Sequence, residues 1–111
     1  MASRKDEKKQ PILEIDRLIH EPSRFLILSM LYVLENAEFL FLLRQTGMAQ
    51  GNLSSHLKRL EEGGYIDVTK EFVGKKPRTL LALNERGRKA FKQYVLEMKK
   101  IFDDLYAEIN E

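Results

Sequence analysis

The fold is decided by the stretch Gly51–Val68, which reads GNLSSHLKRLEEGGYIDV. Its leucines recur at intervals of four and then three residues, a spacing that places them on one side of an α-helix. Two consecutive glycines follow, and then Ile66 and Val68 alternate with other side chains, as they do in a half-buried β-strand. The stretch therefore predicts a helix from Gln50 to Glu62 that is followed directly by a strand.

A second helical segment, Glu38–Gly47, ends shortly before this helix begins. It reads EFLFLLRQTG, can start with a short extended stretch, and ends at a glycine, which readily adopts the left-handed conformation of a helix C-terminus. Two helices joined by a short turn of this kind are the signature of a helix-turn-helix, in which the second helix enters the major groove of DNA. Residues 50–62 are therefore the predicted recognition helix.

Two β-like runs follow the recognition helix. YIDVTKEF and RTLLAL flank the turn sequence VGKKP, which predicts a two-stranded β-hairpin with a basic tip at Lys75, Lys76 and Arg78. Asn84 then suits the N-cap of a last helix over residues 85–109.

The sequence before the helix-turn-helix predicts two more helices. The first starts at Pro11 and has isoleucines at helical spacing, namely Ile12, Ile15 and Ile19. The second starts after Pro22, with Ser23 as a candidate N-cap. Its apolar run, FLILSMLYVL, is too short for a membrane span of about 18–20 residues, so it predicts a core helix and no membrane segment.

The composition fits a single soluble domain. The chain has 111 residues, which suffices for one modest core, and its 43% hydrophobic and 32% charged residues are typical of globular proteins. The absence of cysteine excludes disulfides and cysteine metal sites and favours a cytoplasmic location. We expect a flexible arm at residues 1–10, a DNA-binding domain at 11–84 and a terminal helix at 85–111.

Positive charge is concentrated in the middle of the chain. Residues 48–90 carry nine basic and five acidic side chains, whereas the formal net charge of the whole chain is only +2. Local basicity of this kind favours a polyanionic partner, although an ordinary solvated surface can have the same composition.

The side of the recognition helix opposite its leucines carries small, polar and basic side chains. Serine and asparagine can exchange hydrogen bonds with base edges, and lysine and arginine reach phosphates or guanine. His56 flanks the leucines and suits packing as well as phosphate contact. The predicted DNA contacts are Gln50, Asn52, Ser54, Ser55, His56, Lys58 and Arg59 in the helix and Lys75, Lys76 and Arg78 in the hairpin.

These residues also carry a family resemblance. GNLSSHLKRLEEGGYIDV, followed by FVGKKPRTLLALNERGRKAF, resembles the winged helix-turn-helix transcription regulators of bacteria and archaea, most closely the small stand-alone domains related to the MarR and ArsR regulators. The resemblance implies an α+β, mostly helical fold with a hairpin wing, and a regulator that binds double-stranded DNA as a homodimer. One departure is Ala49, which stands where such proteins often have a serine or threonine N-cap.

The last helix has a heptad-like apolar seam that predicts dimerisation. An exposed stripe of this length would be an aggregation hazard on a monomer, and the same helix of a second chain would cover it. The alternative is that the helix folds back onto the predicted helix at residues 12–19. The predicted dimer contacts are Phe91, Val95, Met98, Phe102, Leu105 and Ile109.

Other classes of function have weaker support in the sequence. No nucleophile–base pair or phosphate-binding glycine loop is present, so we expect no enzyme and no cofactor. Two histidines without cysteine do not favour a metal site, so we expect none. A protein-interaction winged helix remains the alternative function, but it would favour an acidic or apolar recognition face. A seam between helices could hold a small apolar effector, although core packing explains the same residues.

Overall fold

The computed structural model describes residues 14–110, which form four α-helices and three β-strands. The predictions for the arm at residues 1–10 and for the start of the first helix lie outside the described residues. In chain order, the elements are α1 (Pro22–Val33), β1 (Ala37–Glu38), α2 (Phe39–Thr46), α3 (Gln50–Glu62), β2 (Ile66–Val73), β3 (Lys76–Leu83) and α4 (Glu85–Ile109).

The predicted C-terminus of α2 and both predicted ends of α3 and α4 are confirmed. The bounds of α3 and α4 are those predicted, and α2 ends at Gly47, whose φ of 69° is left-handed. The Asn84 side chain caps α4 by accepting a hydrogen bond from the backbone N–H of Gly87 at 2.8 Å.

The predicted two-stranded hairpin wing is confirmed, and a short third strand extends its sheet. The strand order is β1-β3-β2, and neighbouring strands are antiparallel. β1 pairs Ala37 with Leu81 and Glu38 with Leu80. Through this pairing, the residues just before α2 are hydrogen-bonded to the base of the hairpin.

One hydrophobic core lies between the helices and the inner face of the sheet. α1 crosses its centre, and the leucine side of α3 packs on it, so the recognition helix has only its polar side free. α4 joins the core through its first turns. The buried core residues are Ile15, Ile19, Ile27, Leu28, Leu31, Ala37, Leu42, Leu53, Leu57, Leu60, Ile66, Leu81, Leu83, Phe91 and Tyr94.

Residues 14–20 form turns instead of the predicted α-helix. The Asp16 carboxylate accepts hydrogen bonds from the backbone N–H groups of Leu18 at 2.9 Å and Ile19 at 3.4 Å. These bonds compete with helical pairing, which explains why the helix prediction is wrong here. Ile15 and Ile19 are nevertheless buried, because a succession of turns can also bring residues four apart to one side.

The N-cap predicted for α1 is also wrong. The helix starts at Pro22, and its N-cap is Glu21, whose carboxylate accepts a hydrogen bond from the backbone N–H of Arg24 at 2.7 Å. Proline fits the first helical position because the N–H that it lacks has no partner there. This placement moves Ser23 inside the helix.

Within residues 14–110, no helix is both long and apolar enough to cross a membrane.

Candidate nucleic-acid interface

The polar side of α3 is open to solvent while its leucines are buried. Leu53 and Leu60 have no exposed surface and Leu57 is 5% exposed, which fixes the orientation of the helix on the core. The side chains on the opposite side are exposed and belong to six of the seven residues predicted to contact DNA in this helix. They are Gln50, Asn52, Ser54, Ser55, Lys58 and Arg59.

The turn of the wing is shorter than the sequence VGKKP implied. Val73 pairs with Lys76, so that only Gly74 and Lys75 connect the strands. Gly74 has a φ of 65°, whereas no described residue other than glycine has a positive φ. This combination fits a type II′ turn, which matches the twist of a hairpin and needs glycine at its first central position. Lys75 and Lys76 are exposed at the tip, as predicted.

A groove of about 350 Å³ separates α3 from the wing. Its walls include Gln50, Ser54 and Lys58 from α3, and Lys70 and Thr79 from the paired strands. Lys70 was missed in the sequence reasoning, although strand alternation from Ile66 and Val68 would have placed it on this face. The groove therefore joins the recognition helix and the wing into one surface, in which Lys70 adds a cation to Lys58 and Glu61 is the acidic side chain of the lining.

Arg78 lies on the other face of the wing and is engaged by carboxylates. Its Nε donates to Glu71 Oε2 at 2.8 Å, and Nη1 lies 3.9 Å from Glu38 Oε2. Arg78 is paired with Glu71 across the strands, whereas the groove is lined by the neighbouring pair, Lys70 and Thr79. A phosphate at Arg78 would have to compete with both carboxylates, so the prediction for this residue is weakened.

His56 is half-buried and belongs to a polar cluster at the start of α1. Its Nδ1 lies 3.3 Å from Arg24 Nη1 and 3.9 Å from Glu21 Oε1. Arg24 also donates through Nε to the backbone carbonyl of Leu18. This arrangement favours the packing role of His56, since the cluster fixes α3 against the turns at residues 14–20.

A hydrogen bond from Tyr65 supports the exit of the recognition helix. Its hydroxyl donates to Asp16 Oδ2, and the backbone N–H of Tyr65 bonds to the carbonyl of Leu60 at 3.0 Å. Burial, together with this bond to Asp16, raises the pKa of Tyr65 to about 12. The hydroxyl therefore keeps its proton and its donor role at neutral pH.

The first turn of α3 has no side-chain cap. Ala49 occupies the N-cap in an extended conformation, and no side chain accepts from the first amides of the helix. No acidic side chain lies in this turn. The uncompensated N–H groups and the helix dipole thus favour an anion at this end, where the groove and the wing are also basic.

Among residues 14–110, no group of three or more histidine, cysteine or acidic side chains is arranged to hold a metal ion.

The predicted dimer contacts divide between the core and the surface. Phe91 is 5% exposed and packs in the chain's own core, which removes it from the predicted seam. Met98 is partly buried against that core. The other predicted contacts remain exposed and are Val95, Phe102, Leu105 and Ile109.

The helix-turn-helix of α2 and α3, followed by the β2–β3 hairpin, defines a winged helix protein. The chain belongs to the family described as the winged helix DNA-binding domain, whose model matches residues 23–102. The family and the fold are those of transcription regulators and not of enzymes.

Known proteins with similar sequences and structures agree with this assignment. An uncharacterised protein of Methanocaldococcus jannaschii is 34% identical over 85 residues, which are 77% of this chain and 92% of that protein. The transcriptional regulator homologue of Pyrococcus horikoshii superposes with a TM-score of 0.82 and 25% identity, over 87% of this chain and 98% of that one. The crystal structure of MarR gives a TM-score of 0.71 with 19% identity, over 82% and 66%. The resemblance to MarR-like regulators is confirmed at the level of the fold.

Proposed function

We propose that the protein regulates transcription by binding double-stranded DNA sequence-specifically, with α3 in the major groove and the wing on the backbone. The observation that carries the proposal is the continuous surface formed by the exposed side of α3, the facing Lys70 and the lysines of the wing tip. Side chains that read base edges lie on the helix, and cations that neutralise phosphates surround them. The side of α3 that carries the predicted contacts is neither acidic nor apolar, as a protein-interaction module would favour, and its exposed acidic residues, Glu61 and Glu62, are confined to the end of the helix.

We further propose a two-fold homodimer formed through α4. The helix has 25 residues, and apolar side chains remain exposed along its last two-thirds, including Phe102 at 59% and Ile109 at 79%. Apolar surface of this extent is typical of an interface. The two recognition helices of such a dimer would meet half-sites about 34 Å apart, which is one turn of DNA.

An apolar groove between α1 and α4 is the place where a small effector would fit. Its volume is about 380 Å³. The walls also contain residues of the proposed dimer seam, so we assign the groove to subunit contact in preference to an effector. Its lining residues are Phe25, Tyr94, Val95, Met98, Lys99 and Phe102.

The division into a DNA-binding domain at residues 11–84 and a dimerisation helix at 85–111 stays a proposal. The first turns of α4 belong to the core of the DNA-binding domain, so we place the functional division after Tyr94. The cytoplasm is the proposed location, because the partner is chromosomal DNA.

The test is a titration of labelled duplex DNA, followed by fluorescence anisotropy at several salt concentrations. If the dimer neutralises about 6–10 phosphates, affinity should fall about 10³- to 10⁵-fold between about 50 and 200 mM salt. Replacing Lys75 and Lys76 with alanine should weaken binding to all duplexes and lower the salt slope by roughly one per lost contact.

The matched control replaces Lys92 and Lys100 with alanine, which removes the same charge from exposed positions of α4 that do not line the groove assigned to subunit contact. This variant should retain the salt slope of the unmodified protein. Absence of DNA binding by the unmodified protein at low salt would contradict the proposed function.

A further inference from the structure

The wing carries an apolar side chain that its own fold leaves uncovered. Phe72 lies next to the tip of β2 and is 73% exposed. β2 is also an edge strand of the sheet. An exposed aromatic residue on a sheet edge invites association with other molecules, and natural edge strands usually avoid it. A partner that covers Phe72 in the working protein would explain its presence.

The register of the hairpin shows which way Phe72 faces. Directly opposite residues of antiparallel strands share a face, and every second residue along a strand returns to it. Phe72 pairs with Pro77, and the pair next but one along the same face is Lys70 with Thr79. Lys70 and Thr79 line the groove against α3. Phe72 and Pro77 therefore extend the surface of the recognition helix toward the tip of the wing.

The charges around this apolar pair limit the chemistry of its partner. Lys70 lies on the same face, and Lys75 and Lys76 are exposed at the tip. An apolar centre among cations fits a polyanion that also presents apolar surface. The minor groove of duplex DNA offers both, because phosphates line it and its walls and base steps expose sugars and base faces. Phenylalanine and proline are among the side chains that proteins insert between base steps there.

We infer that Phe72, supported by Pro77, presses into the DNA minor groove as an apolar wedge and bends the duplex. The inference rests on the proposed function, since it needs the wing to lie on DNA. It assigns the wing two separate contributions. The lysines bind phosphates, so their contribution to affinity depends on salt concentration. Phe72 contacts sugars and bases, so its contribution does not depend on salt concentration.

The experiment compares Phe72→Ala with Val73→Ala in the full-length protein. Val73 is the matched control, because it is the adjacent residue of β2, is 56% exposed, and lies on the opposite face. Binding is measured by anisotropy at several salt concentrations. Bending is measured by energy transfer between dyes at the two ends of a duplex. Circular dichroism and sedimentation without DNA check folding and association.

Phe72→Ala should weaken binding roughly 5- to 150-fold, the range measured when an aromatic residue that stacks on a base is removed. It should also reduce the bend and leave the salt slope unchanged. Phe72→Leu should retain most of the affinity and most of the bend, since leucine also serves as a wedge. Val73→Ala should behave like the unmodified protein.

Three results would overturn the inference while leaving DNA binding intact. The first is an unchanged affinity and bend for Phe72→Ala. The second is a reduced salt slope, which would mean that Phe72 acts only by positioning lysines. The third is a loss of self-association without DNA, which would make Phe72 a contact between copies of the chain. Failure of the unmodified protein to bind DNA would instead reject the proposed function itself.

Discussion

The two halves of α4 carry the same apolar repeat but lie in different surroundings. In the inner half, residues 85–94, Phe91 and Tyr94 are about 95% buried in the chain's own core, with exposures of 5% and 6%. In the outer half, residues 95–109, Met98 and Ile101 are partly buried against the core, but most apolar side chains stay exposed, and Tyr106 reaches 69%. The repeat thus predicts that a helix has an apolar side, but it does not predict which surface covers that side.

Contacts within the chain explain why the inner half is fixed. The ring of Phe91 lies 5.6 Å from those of Phe25 and Tyr32, measured between centroids. A Cβ atom at Gly87 would lie 2.1 Å from the carbonyl oxygen of Tyr65, so the helix touches the loop backbone there. In the outer half the polar contacts are helical pairs, such as Lys99 with Asp103 at 2.7 Å. We therefore expect inner residues to determine folding and outer residues to determine association.

The largest effect is expected from Leu105→Glu in the outer half. A two-fold interface would place this charge in it twice, and the protein should sediment as a folded monomer. Affinity for DNA with two half-sites should fall about 10²- to 10⁴-fold, because two linked binding events become independent. The control is Leu96→Glu, whose side chain is 55% exposed against 52% for Leu105 but lies outside the seam. If the two variants sediment alike and bind DNA with equal affinity, the proposal that α4 forms the dimer seam is contradicted.

Phe91→Ala should lower the free energy of unfolding by about 3–5 kcal/mol, the usual cost of removing a buried phenylalanine side chain. The loss should not depend on protein concentration, because Phe91 packs within one chain. Phe102→Ala is the comparison from the outer half, and its effect on the free energy of unfolding should shrink on dilution, because both proteins then dissociate into monomers. Denaturant titrations at two concentrations measure both. A concentration-dependent loss for Phe91→Ala would place this residue at an interface after all.

Asn84→Ala should cost about 1 kcal/mol, within the usual range of about 0.5–2 kcal/mol for an N-cap. The variant loses the bond to the Gly87 N–H at 2.8 Å and the bond from Nδ2 to the Gly64 carbonyl at 2.9 Å. Asn110→Ala, at the exposed end of the same helix, should change stability by less than about 0.5 kcal/mol. A similar loss for both variants in thermal unfolding would show that the two ends are equally fixed.

The smallest effect is expected from Asp103→Ala. It removes the exposed pair with Lys99, and such helical pairs contribute about 0.3–0.5 kcal/mol at most positions. Chemical unfolding should detect little change, and sedimentation none. A loss above about 1 kcal/mol would indicate that the pair is buried by a second chain.

The elements that the sequence predicted are those with strong local signals. The leucine spacing and the double glycine determine α3, and Asn84 with the apolar repeat determines α4. β1 has only two residues, and its pairing with β3 depends on distant parts of the chain. The turns at residues 14–20 were missed because the hydrogen bonds of Asp16 override a helical pattern.

The sequence predicted which residues form the candidate site better than it predicted how they are arranged in space. The exposed residues of α3 follow directly from the position of its leucines. The pairing of Arg78 with Glu71 and Glu38 needs the strand register and a third strand, neither of which the sequence specifies. The position of Lys70 in the groove follows from the alternation in β2, a signal that was present but not applied to this residue.

In the proposed DNA complex, the alanine at the start of α3 would make the stability of the recognition helix depend on its partner. A serine or aspartate at Ala49 would satisfy an N–H group in the free protein, a gain of about 0.5–2 kcal/mol that alanine forgoes. A phosphate oxygen at the same place would satisfy the amides only in the complex. The first turn of α3 would then exchange its amide hydrogens quickly in the free protein and slowly on DNA, so that ordering of the helix end and recognition of the duplex become a single event.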